Sequence, residues 1–344
     1  MDWIDFLQKQ GARHDTQDFG DPAGELECAR SSTVIVPLTD LGVIAVAGED
    51  SVSFLHNLLT NDIKALGKDG ACLGGLCTPK GRLLATMLIW PEAEGLRLAL
   101  PTDVLPAVQK KLAMYVLRSK VQLSDASGQD LLLGLSGPKA TLALASLGVV
   151  FKADAKLERF AGGTSIALGG DRYLLAISPE IAASTWLKLT TNARPAGIAA
   201  WHWLEIVAGI PRVTAATQEE FVPQMVNYEL VGGLSFTKGC YPGQEIVARS
   251  QYLGKIKRHM YRVRLDGTGS ELRPGASIFA ALAEDQPCGT IVQAAPSPLG
   301  GMEALAVLPS NCAEAGDIHL GSRQGPALRF LPLPYDSQRE SQSS

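Results

Sequence analysis

None of the six cysteines of this 344-residue chain falls in a C-x-x-C pair. They stand at positions 28, 72, 77, 240, 288 and 312, so neither a zinc ribbon nor a self-contained iron–sulfur site is spelled out. Cysteines scattered in this way point to a reducing compartment rather than a disulfide framework. No apolar run approaches the ~20 residues that a membrane-spanning helix needs. Positive charge is scarce as well: 31 Lys and Arg against 35 Asp and Glu leave a formal net charge of −4, no global basis for binding nucleic acid. The opening residues 1–6, MDWIDF, are acidic where a secretory leader needs basic residues, and no leader is expected. A soluble cytoplasmic protein is the expectation. What is plentiful is apolar residues, 46% of the chain, enough core for two or three domains.

Residues 2–10 read as one short amphipathic helix and 11–27 as a polar linker. The folded body is expected to begin near Ser32. Val34–Val36 and Val43–Val46 read as strands around a Thr39-Asp40 turn, and 48–59 as a helix capped by Asp50 or Ser51. Leu83–Trp90 and Leu96–Leu100 read as strands, Val104–Tyr115 as a helix, Val121–Leu123 and Leu131–Leu135 as strands, and Pro138–Leu147 as a helix. Strand pairs alternating with single helices indicate antiparallel sheets with helices on one face, an α+β design. After Arg258, short strands (the 260s, 277–280, 290–294, 304–308) separated by Gly/Pro turns indicate a small barrel or sandwich.

The most informative stretch is Phe236–Arg249, FTKGCYPGQEIVAR. Cys240 follows a glycine and lies two residues after Lys238. Pro242 is expected at the first helical position, which suits its fixed φ. Gln244 and Glu245 then fall in the first turn, ahead of Ile246, Val247 and Ala248. A helix start and a lysine both favour thiolate over thiol, so Cys240 is expected to be reactive, with a thiolate that forms below the ordinary range. The alternative is a small cysteine filling a gap beside a tight turn.

These residues, Lys-Gly-Cys-Tyr-x-Gly-Gln-Glu, resemble the signature of the YgfZ family, folate-binding proteins of iron–sulfur cluster maintenance related to the aminomethyltransferase (T-protein) of glycine cleavage. Phe221–Gln224, Asn227 and Gly232–Phe236 resemble the segment leading into it, and Tyr252–Arg258 the segment leaving it. Leu58–Asp62, Cys77–Gly81, Tyr115–Lys120, Ala208–Pro211 and Pro332–Tyr335 extend the resemblance through most of the chain. It implies an α+β fold: a T-protein-like ring of two antiparallel-sheet and helix (ferredoxin-like) lobes with a C-terminal β-barrel. The expected division is 1–31 as N-terminal helix and linker, 32–250 as a folate-binding region of two interleaved α+β lobes, 251–336 as the barrel and 337–344 as a disordered tail.

The resemblance also carries roles onto residues. Cys240 and Lys238 form the working pair of a motif completed by Gly239, Tyr241, Gly243, Gln244 and Glu245. Trp201 matches an indole lining the folate pocket, Leu41 replaces the pocket's other aromatic, and Arg249 opens a basic run with Lys255, Lys257, Arg258, Arg262 and Arg264. That run suits folylpolyglutamate, transfer RNA phosphates or simply a solvated face. The implied ligand is tetrahydrofolate or its 5-formyl or methylene derivative, and no resident metal is expected. Two departures stand out. T-protein uses an aspartate in Gly-Gly-x-x-Asp-Asp, and residues 81–86 here read GRLLAT, with Ala85 and Thr86 where the carboxylates stand. Neither takes a proton near neutral pH, so aminomethyl transfer is not expected. The family's pterin-binding glutamate is Val207 here, and Glu205 lies about 200° away around a helix.

Two functions compete. The first is a non-catalytic factor that binds a folate and uses Cys240 to build, deliver or repair 4Fe–4S clusters in client enzymes, including methylthiolase-type radical enzymes acting on tRNA. One cysteine cannot hold a cluster that takes four thiolates, so any cluster contact is shared or transient. The second is a folate-dependent one-carbon transferase or demethylase with Cys240 as nucleophile. It needs a base within reach, and no spacing ties His202 or His259 to Cys240. His14, His56 and His319 read as surface or packing residues. Direct tRNA binding has only the basic run behind it. The first reading is favoured, with folate, the client enzymes and tRNA as partners and no membrane.

Overall fold

The N-terminal segment holds two helices, where the sequence suggests one and a linker. Trp3–Lys9 starts at Asp2, whose carboxylate accepts from Trp3 N. Pro22–Ser31 starts at Asp21, which accepts from Gly24 N, with proline in the first turn. The Asp, Pro and Gly that look like linker composition are a helix start. Glu25 fixes this segment. It is 2% exposed, and its carboxylate accepts backbone N–H groups from Phe19 at 2.7 Å, Asp21 at 3.2 Å and Gly197 at 2.9 Å.

The computed structural model describes residues 2–13, 16–252, 257–267, 272–280 and 286–336. His14, Lys255 and the expected tail 337–344 lie outside the described residues. The fold divides into two compact units, each discontinuous in sequence: Met1–Ser51, Leu66–Ala71 and Ile89–Leu204 form one, and Val52–Ala65, Cys72–Leu88 and Glu205–Ser344 the other.

In the first unit, a six-stranded sheet runs in the order Arg194–Pro195, Val34–Pro37, Leu131–Ser136, Arg172–Ile177, Gly163–Gly169, Leu157–Phe160. Val34–Pro37 pairs parallel to Arg194–Pro195, and every other pairing in this sheet is antiparallel. Leu7, Ile35, Leu133, Leu135, Leu144, Leu175, Ile177 and Trp186 share its core. Trp3 meets Trp186 edge-on at 6.0 Å, so the N-terminal helix belongs to that core. Leu41–Ala47 lies in a different sheet, antiparallel to Gly95–Pro101 on one side and Gln122–Asp125 on the other. The two strands flanking Thr39-Asp40 therefore do not form a hairpin.

In the second unit, six strands run in the order Ile318–Leu320, Ser277–Ala280, Gly289–Pro296, Met302–Pro309, Arg258–Leu265, Arg329–Leu331, all antiparallel. Val263, Ile278, Ile291, Ala304, Ala306 and Leu308 share the core of this sheet. The helix expected over 48–59 is shorter, Ser51–His56. Leu59 leaves the helical path to bridge Leu76. Among the described residues no helix is long and apolar enough to cross a membrane.

Candidate functional site

The motif is built from two turns packed back to back. Tyr241-Pro-Gly-Gln244 closes with Gln244 N donating to the Tyr241 carbonyl at 3.1 Å. Proline stands at its second position and Gly243, with φ +82°, at its third, the sequence of a type II turn. The helix therefore begins at Gln244 and runs to Tyr252, and Pro242 is a turn residue rather than a first helical one. Gln244 Oε1 accepts from Tyr241 N in return, at 3.3 Å. The second turn, Thr78-Pro-Lys-Gly81, closes from Gly81 N to the Thr78 carbonyl at 2.9 Å, with Gly81 at φ +71°. Gln224 ties the new helix down by donating from Nε2 to the Val247 carbonyl at 2.7 Å.

Lys238 is 6% exposed, and its ammonium donates to the carbonyl of His56 and, at 2.5 Å, to that of Leu59. It thereby satisfies carbonyls left open at the C-terminal end of Ser51–His56. Its Nζ also lies 4.8 Å from the centre of the buried Tyr241 ring. Burial lowers its pKa to about 8, with Asp62 and Cys240 opposing the shift and Lys64 adding to it. Lys238 is thus a structural clasp as well as a neighbouring charge. Cys240 itself is exposed, unlike Cys77, Cys288 and Cys312.

Next to this loop stands a histidine that no sequence pattern singles out. His56 is 7% exposed, and its Nε2 would lie 3.8 Å from a Cβ added to Gly239. Its Nδ1 is 3.1 Å from Asp62 Oδ1, off the ideal hydrogen-bond line. Burial and then the Lys238 charge hold the imidazole below its ordinary pKa, against the pull of Asp62. His56 stands 182 residues before Lys238, too far for any local signal to join them.

The other sequence-selected residues are dispersed. In the first unit, Trp201 is 1% exposed and packs over Gly134, where an added Cβ would come within 2.4 Å of Cε3. Leu41 is half-buried at the start of its strand. His202 Nε2 pairs with Asp40 Oδ2 at 2.7 Å. In the second unit, Arg249 and Lys257 are exposed. Arg262 is paired at 2.5 Å with Glu303, and Arg264 at 2.9 Å with Asp266, which shortens the basic run. Glu205 is ion-paired with Arg212 at 2.9 Å and also accepts from Gln293. The Thr86 hydroxyl donates to the Pro211 carbonyl and accepts from Val213 N, a backbone clip in place of a carboxylate. His319 is held between the Gly325 carbonyl and Asp317. Among the described residues no group of three or more His, Cys, Asp or Glu is placed to hold a metal ion.

The GCVT N-terminal domain family matches residues 13–231. The tRNA-modifying protein YgfZ of Photobacterium profundum is 32% identical over 305 residues, 88% of this chain and 91% of that protein. The proteins of the same name in Vibrio vulnificus (strain CMCP6) and Yersinia pestis (strain Pestoides F) are 31% and 30% identical, each over 88% of this chain and 92% of theirs. The crystal structure of the glycine cleavage system aminomethyltransferase T from Bartonella henselae superposes with a TM-score of 0.69 over 96% of both chains. At 19% identity that likeness establishes a shared fold.

Proposed function

The chain belongs to the YgfZ family of tRNA-modifying proteins, and on that premise we propose that it is a folate-binding factor that supports assembly or repair of 4Fe–4S clusters in tRNA-modifying radical enzymes. The working residue is Cys240, and the cluster is cargo that belongs to the client. One observation carries this reading. Lys238 is clasped to the His56 and Leu59 carbonyls, Tyr241, Gly243 and Gln244 are engaged in the docked turns, and between them the Cys240 thiol is left exposed. A loop so braced presents one soft nucleophile to a partner.

Folate enters through the fold family, and the carried-over residues fit it poorly. Trp201 is buried to 1% over Gly134, Val207 has no carboxylate, and Glu205 is engaged with Arg212. Calorimetric titration with 5-formyltetrahydrofolate tests that part directly: measurable heat is expected, and its absence would remove folate from the proposal. The cluster part is tested by an inventory of tRNA thiomethylation in a deletion strain. Wild-type protein should restore it and Cys240→Ala should not; full restoration by Cys240→Ala would sink the reading.

A folate-dependent one-carbon transferase or demethylase, with Cys240 as nucleophile, is the second reading. The imidazole beside Gly239 is the observation in its favour.

A further inference from the structure

We propose that His56 is the proton acceptor for the Cys240 thiol and that Asp62 orients its ring, so that the three side chains make a thiol-activating site. The inference rests on Cys240 being the working residue and holds under either reading above.

Leaving aside its chain neighbours Lys238 and Cys240, the one described atom within 4 Å of a Cβ built on Gly239 is His56 Nε2, at 3.8 Å. Gly239 immediately precedes Cys240, so the imidazole stands beside the peptide that carries the thiol. Such distances are commonly loose in an unliganded enzyme and tighten on engagement. The ring is held from the other side. Its backbone carbonyl is clasped by Lys238, and Asp62 Oδ1 faces Nδ1. Asp62 is itself anchored, its N–H donating to Asn61 Oδ1 at 2.8 Å and its Oδ1 accepting from Ala65 N at 3.1 Å.

The Asp62 carboxylate, 3.1 Å from Nδ1, draws the ring proton to that side electrostatically and so favours the tautomer whose Nε2 lone pair can accept. Among the described residues Nε2 makes no hydrogen bond. Nucleophile, imidazole and carboxylate in series are the parts of an activated thiol. In the step, the S–H bond of Cys240 breaks and its proton passes to Nε2, leaving a thiolate and an imidazolium; nothing is oxidised or reduced. The charges facing the ring are Asp62, Lys238 and Lys64. Burial and the two lysines favour the neutral ring, the form able to accept.

The test is alkylation of Cys240 by iodoacetamide in the full chain, followed by peptide mass between about pH 5 and 9. Carbon–sulfur bond formation expels iodide, so neither folate nor a client is needed. His56→Gln should slow the reaction at neutral pH by about tenfold and abolish the acid-side inflection of the rate profile. Asp62→Asn should slow it less and move that inflection to lower pH, because the carboxylate raises the ring's basicity. Profiles that superpose on the wild type in both variants would overturn the proposal. Buried Cys77 reports on folding in the same digest. Should His56→Gln make Cys77 reactive, Asp62→Asn alone decides: a slowed, acid-shifted profile supports the site and an unchanged one ends it. Loss of this site with tRNA thiomethylation still dependent on Cys240 would leave the maintenance function standing.

Discussion

A Cβ on Gly243 would lie 2.6 Å from the amide nitrogen of Gly81 and 2.4 Å from the Thr78 carbonyl oxygen. Both obstacles are backbone of a closed turn and cannot rotate away. Gly243 also sits at φ +82°, a region that costs other residues roughly 1–3 kcal/mol. Gly243→Ala should therefore destabilise by about 2–4 kcal/mol, read as a fall in the urea midpoint. Gly316, at φ +75° with nothing within 4 Å, is the control; Gly316→Ala should cost only about 1 kcal/mol. Equal losses at the two sites would mean that the two turns are not tightly docked.

The six thiols should separate by reactivity. Burial pushes the Cys77 thiol up to about 12 and that of Cys288 to about 11. Neither should label in the native state at neutral pH, whereas exposed Cys240 should label first. Timed alkylation with peptide mapping checks the order, and early labelling of Cys77 would contradict it. In urea all six should become equivalent.

Lys238 should leave a signature in stability against pH. Its folded pKa is about 8 against 10.5 in the unfolded chain. Between these values the unfolded state binds more protons, so this group makes stability rise with pH from about 8 to 10.5 and contributes no slope below 8. A neutral amine still has two hydrogens for the two carbonyls it serves. Lys238→Gln should lower stability through the lost clasp and remove that slope. Urea unfolding at several alkaline pH values distinguishes the two proteins; parallel curves would mean the lysine is not desolvated.

Glu229 works in the opposite sense. Burial raises its carboxyl to about 7, and its Oε2 is buried without a hydrogen-bond partner. Between 4.5 and about 7 the folded state binds the extra proton, so stability from this group is present at low pH and lost as pH rises through 7. Glu229→Gln should raise the melting temperature at neutral pH and leave it nearly unchanged near pH 5. A variant less stable at neutral pH would reveal an unseen partner for the carboxylate.

Glycine-cleavage turnover is expected to be at background. Thr86 is committed to the Pro211 and Val213 backbone, and no carboxylate stands at 85 or 86 to assist the transfer. General acid–base assistance is typically worth ~10²–10⁴-fold. Formation of methylenetetrahydrofolate from an aminomethylated lipoyl carrier is the assay, and turnover on the scale of a T-protein would revive the transferase reading.

Much of the fold was legible because its strands are continuous apolar or alternating runs between Gly/Pro turns. Leu83–Glu92, Gly95–Pro101, Arg258–Leu265, Gly289–Pro296 and Met302–Pro309 all read that way. Cys72–Cys77 did not, since its Gly74-Gly75 pair resembles a loop. Gly75 is small because Leu83 Cδ2 would lie 2.6 Å from a Cβ there. Pro242-Gly243 read as a helix start because proline suits that place too, and only the neighbouring turn at Gly81 explains the glycine. Cys240 and its signature were visible as a string. His56 was not, because proximity across 182 residues leaves no periodic trace.

That separation also sets the order of events during synthesis. The Tyr228 hydroxyl reaches the Gly74 carbonyl across 154 residues, and Lys238 reaches Leu59 across 179. At the usual pace of translation, the end of Ser51–His56 and the strand Cys72–Cys77 wait on the order of ten to thirty seconds for these partners. Closing such long loops before any contact rewards them makes this unit a slow folder. A nascent chain stalled short of Lys238 would hold an apolar strand and an uncapped helix with nothing to cover them, a natural client for a chaperone.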